Sequence, residues 1–258
     1  MMKRLDSEER EMREISYLID EAISLLINDF QLNPQIYFTE EDVRWRLMKQ
    51  LDVKLTQQGW QGVQLQDGYT SVVHCEYPTP FRCSMANRSF RLADIESNVQ
   101  RGHFDVALLN SSAATQCPFE VVRSQYYKAF LQALPHIALP FLDCVIEIKL
   151  FRDLAHSNRT ESAGQQAEYA VQAVNKVAAA LDAQSAYYRR PFARRGIVLM
   201  LDNSHLVCSS DVQGARDYFR KTFEEALDFN SLPDTLIAIW VTTDEKREYR
   251  GMRQPRTI

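Results

Sequence analysis

Residues 142–151 read LDCVIEIKLF, an apolar run that is interrupted near its end by two opposite charges. Its length and its Val and Ile content are typical of a buried β-strand. Because side chains alternate across a strand, Glu147 and Lys149 emerge on one face, beside Val145. An ionised group taken from water into a sheet is costly unless it is paired or binds a metal. The pattern therefore marks Glu147 and Lys149 as candidate functional residues.

A third charge begins another short strand. The segment FDVALL, residues 104–109, is apolar except for Asp105. If the two strands are neighbours, the Asp105 carboxylate approaches Glu147, and their repulsion favours a hard divalent cation between them. One alternative stays open from the residues alone: Asp105 caps a turn, and Glu147 pairs with Lys149 as an internal salt bridge.

Helical and extended patterns surround these two strands. Two helices separated by Asn33-Pro34 open the chain, and the second begins after the N-cap Thr39, with Asp42 as its capping-box partner, and ends before Gly59. The other predicted segments are an extended stretch over 69–77, an insertion over 110–140 with a helix near 121–134, a helix over 162–188, a strand over 196–201, a helix over 214–229 and a strand over 235–242. The order α-α-β-β-β-α-β-α-β predicts an α/β fold with a mixed central sheet flanked by helices.

Composition limits the class of protein. The chain has 258 residues, 45% of them hydrophobic, which suffices for one domain with a substantial core. Its first long apolar run, over 15–27, contains Asp20 and Glu21. We therefore expect neither a signal peptide nor a membrane span, and a cytoplasmic location. The five cysteines and five histidines lack metal-ligand spacing, so we expect reduced thiols.

The charge is unevenly distributed. A net charge of −4 argues against a protein that coats nucleic acid nonspecifically. Residues 1–42 carry 11 acids and 4 bases, a net of −7, so residues 43–258 carry 23 acids and 26 bases, a net of +3. Any nucleic-acid surface must be local. The candidates are Arg194 and Arg195, and a basic tail over 246–256 that includes Arg253 and Arg256; solvated charges at the ends of elements explain them equally well.

In its element order and charged residues the chain resembles the PD-(D/E)xK, or restriction-endonuclease-like, nuclease superfamily. The family core has the order α-β-β-β-α-β, which residues 39–202 resemble. Phe104-Asp105 and Glu147-Ile148-Lys149 stand where the family has its metal-binding acid and its Glu-x-Lys. Phe104 replaces a frequent proline. The resemblance implies one domain over 1–258, composed of a helical extension over 1–38, the nuclease core over 39–202 with the insertion over 110–140, and an α/β extension with the basic tail over 203–258.

The resemblance also implies a chemistry. Asp105, Glu147 and the carbonyl of Ile148 would hold Mg²⁺, or Mn²⁺, and Lys149 would orient the water that hydrolyses a phosphodiester bond. DNA is the commoner substrate in the family, but the residues do not distinguish DNA from RNA.

Two further residues are implied by features of many family members. A glutamate on the first core helix would help at a second metal position, and Glu40 fits better than Glu41 because it shares a stripe with the apolar Val43. A first-turn acid stabilised by the helix dipole explains either residue equally well. A glutamine on the helix after Glu-x-Lys would join the site, and we choose Gln166.

A competing interpretation keeps the fold and drops the catalysis. The chain would then be a noncatalytic subunit for nucleic-acid binding or assembly, whose acidic N-terminal helices dock a protein partner or a second copy. The complete set of Asp105, Glu147 and Lys149 argues against it.

The basic tail gives a testable prediction. Reversing the charge of Arg253 and Arg256 should weaken nucleic-acid binding. It should also make the plot of log affinity against log salt less steep by about two, because each lost phosphate contact removes about one released counterion. Binding to a labelled oligonucleotide measured over a range of salt concentrations tests this, with thermal unfolding as a check that the fold is unchanged. An unaltered slope would assign the tail to another role.

Overall fold

The computed structural model describes residues 2–84, 90–93, 98, 101–123, 132–133, 136–137, 140–152, 159–182, 191–206 and 212–251, without the side chains of 2–9, 159–161 and 206. Its helices are α1 Met2–Leu32, α2 Glu40–Gln57, the short α3 Ser111–Ala114 and α4 Phe119–Val122, α5 Arg159–Leu181 and α6 Val212–Ala226. Short 3-10 turns lie at Pro34–Ile36 and Ser204–Leu206. None of the helices in the described ranges combines the length and the apolar character that crossing a bilayer requires.

The strands are β1 Gly62–Gln64, β2 Tyr69–Ser71, β3 Val73–Ser84, β4 Arg91–Leu92, β5 Arg101–Leu109, β6 Leu142–Phe151, β7 Ala193–Asp202, β8 Leu236–Val241 and β9 Lys246–Arg250. Seven of them form one mixed sheet in the order β4-β3-β5-β6-β7-β8-β9, and β1 and β2 form a separate hairpin. β6, β7 and β8 are parallel, while β3, β5 and β9 join antiparallel. The strands that carry Asp105 and Glu147 are therefore neighbours in one sheet, which meets the condition on which the hypothesis for these two acids depends.

Helices cover both faces of this sheet. Arg195 on β7 contacts Ser16 and Asp20 of α1, whereas the next residue, Gly196, faces Val177 of α5. Because successive side chains of a strand point to opposite faces, α1 and α5 lie on opposite sides. α2 packs beside α1 and against β3, β5 and β6, and α6 packs beside α5. The mixed α/β sheet flanked by helices is confirmed.

Local signals set the first helices. The buried side chains of α1 recur at helical spacing, from Ile15 through Ile19 and Ala22 to Leu26. α2 begins at a capping box, in which the Thr39 hydroxyl accepts the Asp42 amide and the Asp42 carboxylate accepts the Thr39 amide. The predicted start and end of α2 are confirmed.

The predicted order of elements is wrong in detail. β1 and β2 form a hairpin too short for periodicity to show, and the stretch predicted over 69–77 divides into β2 and β3. The beginning of the predicted basic tail, Lys246–Arg250, is the edge strand β9. Among the described residues only β8 pairs with it, and its charged sequence is typical of a sheet edge. The insertion contains α3 and α4; most of the helix predicted near 121–134 lies outside the described residues.

The close packing of β7 on α5 gives a prediction. A Cβ at Gly196 would lie 2.2 Å from Cγ1 of the buried Val177, so Gly196→Ala should destabilise the fold by about 1–3 kcal/mol. Gly164→Ala on α5 is the matched control, because its Cβ would meet the Tyr218 ring at an ordinary 3.5 Å. That change should instead stabilise by about 0.5–1 kcal/mol through helix propensity. Urea unfolding compares both; equal effects would contradict the packing argument.

Candidate functional site

β5 and β6 part where the predicted acids lie. Their pairing runs from Leu109–Leu142 to Val106–Ile146, although β5 begins at Arg101 and β6 continues to Phe151. Asp105 and Glu147 are the next residues after the last pair, one on each strand, so they lie side by side where the strands diverge. We call this place the fork. The Asp105 carboxylate accepts the amide of Ile148 through Oδ2 at 2.7 Å. A side chain thus satisfies an amide for which no ladder partner remains.

Glu147 is buried and pairs with a lysine from the opposite layer. Its side chain is 2% exposed, and Lys176 Nζ of α5 lies 2.5 Å from its Oε1. The pKa of Glu147 is raised to about 7, with burial as the largest cause and the nearby Asp105 adding to it, whereas Lys176 and Lys149 lower it. The carboxyl group therefore sits in a water-poor position where its charge depends on neighbouring cations.

Lys149 turns toward α2. Its Nζ lies 3.3 Å from Oε2 of Glu40 and donates to the carbonyl of Ile148 at 2.8 Å. Glu40 Oε1 also accepts the amide of Leu150 at 3.4 Å. Burial lowers the pKa of Lys149, but Glu40, Glu147 and Asp105 raise it, and the net shift is upward. Lys149 is therefore charged and held between the helix and the fork.

Contacts with β7 fix the start of α2, and with it Glu40. The side-chain amide of Asn203, just after β7, donates to the carbonyls of Tyr37 and Pro34 in the linker between α1 and α2. The Asn203 backbone amide donates to the Phe151 carbonyl at the end of β6. One residue thus ties the beginning of α2 to the strand that carries Lys149.

Arg44 gathers three carboxylates at the same place. Its guanidinium pairs with Glu41 at 2.6 Å and with Glu76, and it lies 4.0 Å from Oδ1 of Asp105. Cys75 pairs with Val106 and Tyr77 with Phe104, so Glu76 of β3 lies opposite Asp105. Glu76 has a φ of +50°, a conformation that is strained for a residue with a side chain.

The geometry decides between several sequence hypotheses. The internal Glu147–Lys149 salt bridge is wrong, because Glu147 pairs with Lys176 and Lys149 with Glu40. Asp105 accepts an amide of the neighbouring strand β6 and does not cap a turn. Glu40 contacts Lys149, while Glu41 contacts Arg44.

Gln166, the glutamine chosen from the sequence, lies on α5. Gln166 is half-buried on α5, and within the described part of the chain no hydrogen bond or ion pair joins it to the site. Gln172 is better placed, because it lies one helical turn before Lys176 and is 2% exposed. The Nε2 atom of Gln172 has no hydrogen-bond partner among the described residues.

Two of the four predicted nucleic-acid-binding arginines lie in the described part of the chain, and neither is at the fork. Arg194 and Arg195 lie at the opposite end of the sheet, where β7 begins, and pair with Asp143 and Asp20. Arg253 and Arg256 lie outside the described residues.

Three charged residues of the site are missed by the sequence hypothesis. Lys176 lies between the buried Val174 and Val177 in the sequence. A single charged residue within an apolar part of the helix was the feature that could have indicated it. Arg44 lies beside the apolar Val43 in a helix with charges throughout, and Glu76 lies in a strand-like run. Neither sequence context distinguishes these two from surface charges.

The site offers oxygen ligands without a preformed metal cage. Among the described residues, no three His, Cys, Asp or Glu side chains form a group that could hold a metal ion. Comparison of the chain with protein-family models, with curated proteins and with solved structures gives no match. The interpretation of the site therefore depends on its geometry and chemistry.

The polar cluster at the far end of the sheet gives a pH prediction. The pKa of Asp143 is raised from 3.8 to about 6, because the effect of burial exceeds that of Arg194 and of a hydrogen bond from Asn110, which both lower it. The folded state therefore keeps this proton to higher pH than the unfolded chain. The stabilisation is complete below about pH 4 and is lost as the pH rises through about 6.

Asp143→Asn should remove this pH dependence. Between pH 4 and 7 the wild type should lose at most about 3 kcal/mol relative to the variant, measured by urea unfolding at each pH. Asp217→Asn, at an exposed position of α6, is the control and should follow the wild type. Parallel pH profiles for wild type and Asp143→Asn would contradict the prediction.

Proposed function

We propose that the chain is a metal-dependent phosphodiesterase that hydrolyses nucleic acid, with its active site at the fork between β5 and β6. The observation that supports this most is the convergence of four residues. They are Asp105, Glu147, Lys149 and Glu40, and the sequence indicated all four as residues of one metal-dependent site. They come from three elements and lie in one connected cluster.

The donor set suits a hard divalent cation. Five carboxylates and three cations meet at the fork, which leaves a formal charge of −2; they are Glu40, Glu41, Glu76, Asp105 and Glu147, with Arg44, Lys149 and Lys176. Asp105, Glu147 and the carbonyl of Ile148 would hold Mg²⁺ or Mn²⁺, and Glu40 would serve a second position. When bound, the ion supplies charge stabilisation to the scissile phosphate.

Lys149 would act on the water and on the phosphate. Its ammonium is anchored by Glu40 and by the Ile148 carbonyl, beside the two metal-ligand carboxylates. From there it can orient an attacking water and offset the negative charge that develops on the phosphate oxygens. DNA is the proposed substrate on family frequency, and RNA is its competitor in the assay.

One observation favours the second candidate, a noncatalytic subunit that binds nucleic acid or assembles with a partner. Asp105 and Glu147 already face the cations Arg44 and Lys176, so the charges balance in part without a metal. A wild type that binds no divalent ion and cuts neither DNA nor RNA would favour that function.

Two substitutions test the proposed catalysis. Asp105→Asn keeps an acceptor for the Ile148 amide and removes a metal-ligand charge, so it should weaken Mg²⁺ binding and abolish cleavage. Lys149→Met keeps the apolar stem, so Mg²⁺ should still bind while cleavage falls by at least about 100-fold. Calorimetric Mg²⁺ titration and cleavage of plasmid and oligonucleotide substrates measure the two effects.

The matched controls are Asp217→Asn and Lys221→Met, which remove the same kinds of charge at exposed positions of α6. Both should bind Mg²⁺ and cleave as the wild type does. Unchanged cleavage in Lys149→Met would refute the assigned role of the lysine.

A further inference from the structure

Lys176 belongs to the fork although it is absent from the pattern that predicted the site. Its side chain is 10% exposed, and Nζ lies 2.5 Å from Glu147 Oε1. The same Nζ donates to the backbone carbonyl of His103 on β5 at 2.7 Å. Lys176 therefore bridges the two strands across the fork from the α5 side.

Packing holds this lysine in place. Val174 and Val177, which flank it on α5, are fully buried, so the stem of Lys176 lies within the apolar layer between helix and sheet. Glu147, at 2% exposure, can have little contact with solvent water. An ionised carboxylate in that position needs a neighbouring cation, and Lys176 supplies it.

A divalent ion ligated by Glu147 would use the carboxylate that Lys176 now faces. Two cations beside one carboxylate repel each other, most strongly where water is excluded. The His103 carbonyl offers the lysine a partner that does not depend on Glu147, so the ammonium can leave the carboxylate and remain hydrogen-bonded. Lys149 is not equivalent, because its ion pair is with Glu40 and not with Glu147.

We propose that Lys176 is a built-in counter-ion of Glu147, which stabilises the fork when no divalent cation is bound and which a divalent cation displaces. The inference rests on the proposed function because it takes Glu147 as a metal ligand. It makes Lys176 a positioning residue that opposes metal binding, in contrast to Lys149, which acts on the water. Lys176 thus raises the stability of the metal-free protein and lowers its affinity for the divalent cation.

The test compares wild type, Lys176→Met, the double variant Lys176→Met/Glu147→Gln and the control Lys221→Met. Thermal unfolding with and without Mg²⁺ and calorimetric Mg²⁺ titration are measured on each full-length protein. Without metal, Lys176→Met should unfold at a lower temperature than wild type, because Glu147 loses its counter-ion. Mg²⁺ should restore it and should bind at least about tenfold more tightly than to wild type.

The double variant distinguishes the loss of the counter-ion from the loss of packing around Lys176. With both charges gone, the metal-free unfolding temperature should return toward that of wild type, and Mg²⁺ should no longer raise it. Lys221→Met should match wild type in every measurement, because Lys221 is exposed on α6. If Lys176→Met does not fold, Lys176→Gln, which keeps a donor for the His103 carbonyl, takes its place.

The outcomes distinguish this inference from the proposed function. A wild type that cleaves nucleic acid, together with a Lys176 variant of unchanged or weaker Mg²⁺ affinity, would overturn the counter-ion and leave the catalysis intact. Tighter Mg²⁺ binding by the variant without cleavage by any protein would support the counter-ion and refute the nuclease. A lowered unfolding temperature that Mg²⁺ does not restore would reduce Lys176 to a structural residue and overturn the inference.

Discussion

The end of the hydrogen-bond ladder between β5 and β6 is the constraint on which the candidate site depends. Both strands continue past the last pair, so the β6 amides that face β5 beyond that pair need acceptors other than the β5 backbone. The carboxylates of Asp105 and Glu40 accept the amides of Ile148 and Leu150. Two of the proposed site acids thus replace missing backbone acceptors, and their positions follow from the backbone itself.

Once carboxylates occupy the fork, charge becomes the next constraint. Glu147 is buried, and burial alone would keep it protonated. Two cations oppose this effect at Glu147, Lys176 from α5 and Lys149 from β6, while Arg44 from α2 faces Asp105. A buried ion pair contributes little net stability compared with an apolar pair of similar volume, so net stability alone does not account for this cluster.

The surrounding fold holds this cluster from both faces of the sheet. Asn203 connects β7 to the linker before α2, and the apolar face of α5 lies close over β7 at Gly196. The polar groups at the other end, Asp143 with Arg194, form a separate cluster where β6 and β7 begin. The sheet therefore has a charged fork at one end and a second polar cluster at the other. The fork combines several acids with Lys149 of the sheet and Lys176 of the helix layer.

The sequence by itself determined what depends on local pattern. The mixed α/β sheet, the capping box of α2 and the existence of the strands that carry Asp105 and Glu147 followed from periodicity and turn chemistry, because those signals lie within a few residues of one another. Only the tertiary structure decided which charges meet. Lys176, Arg44 and Glu76 lie far from Glu147 in the chain, and Glu147 pairs with Lys176 instead of Lys149. The strand β9 was also decided by tertiary pairing, since its charged sequence does not indicate a strand and its backbone pairs with the edge of β8. Long-range pairing depends on where helices pack, and no local pattern specifies that.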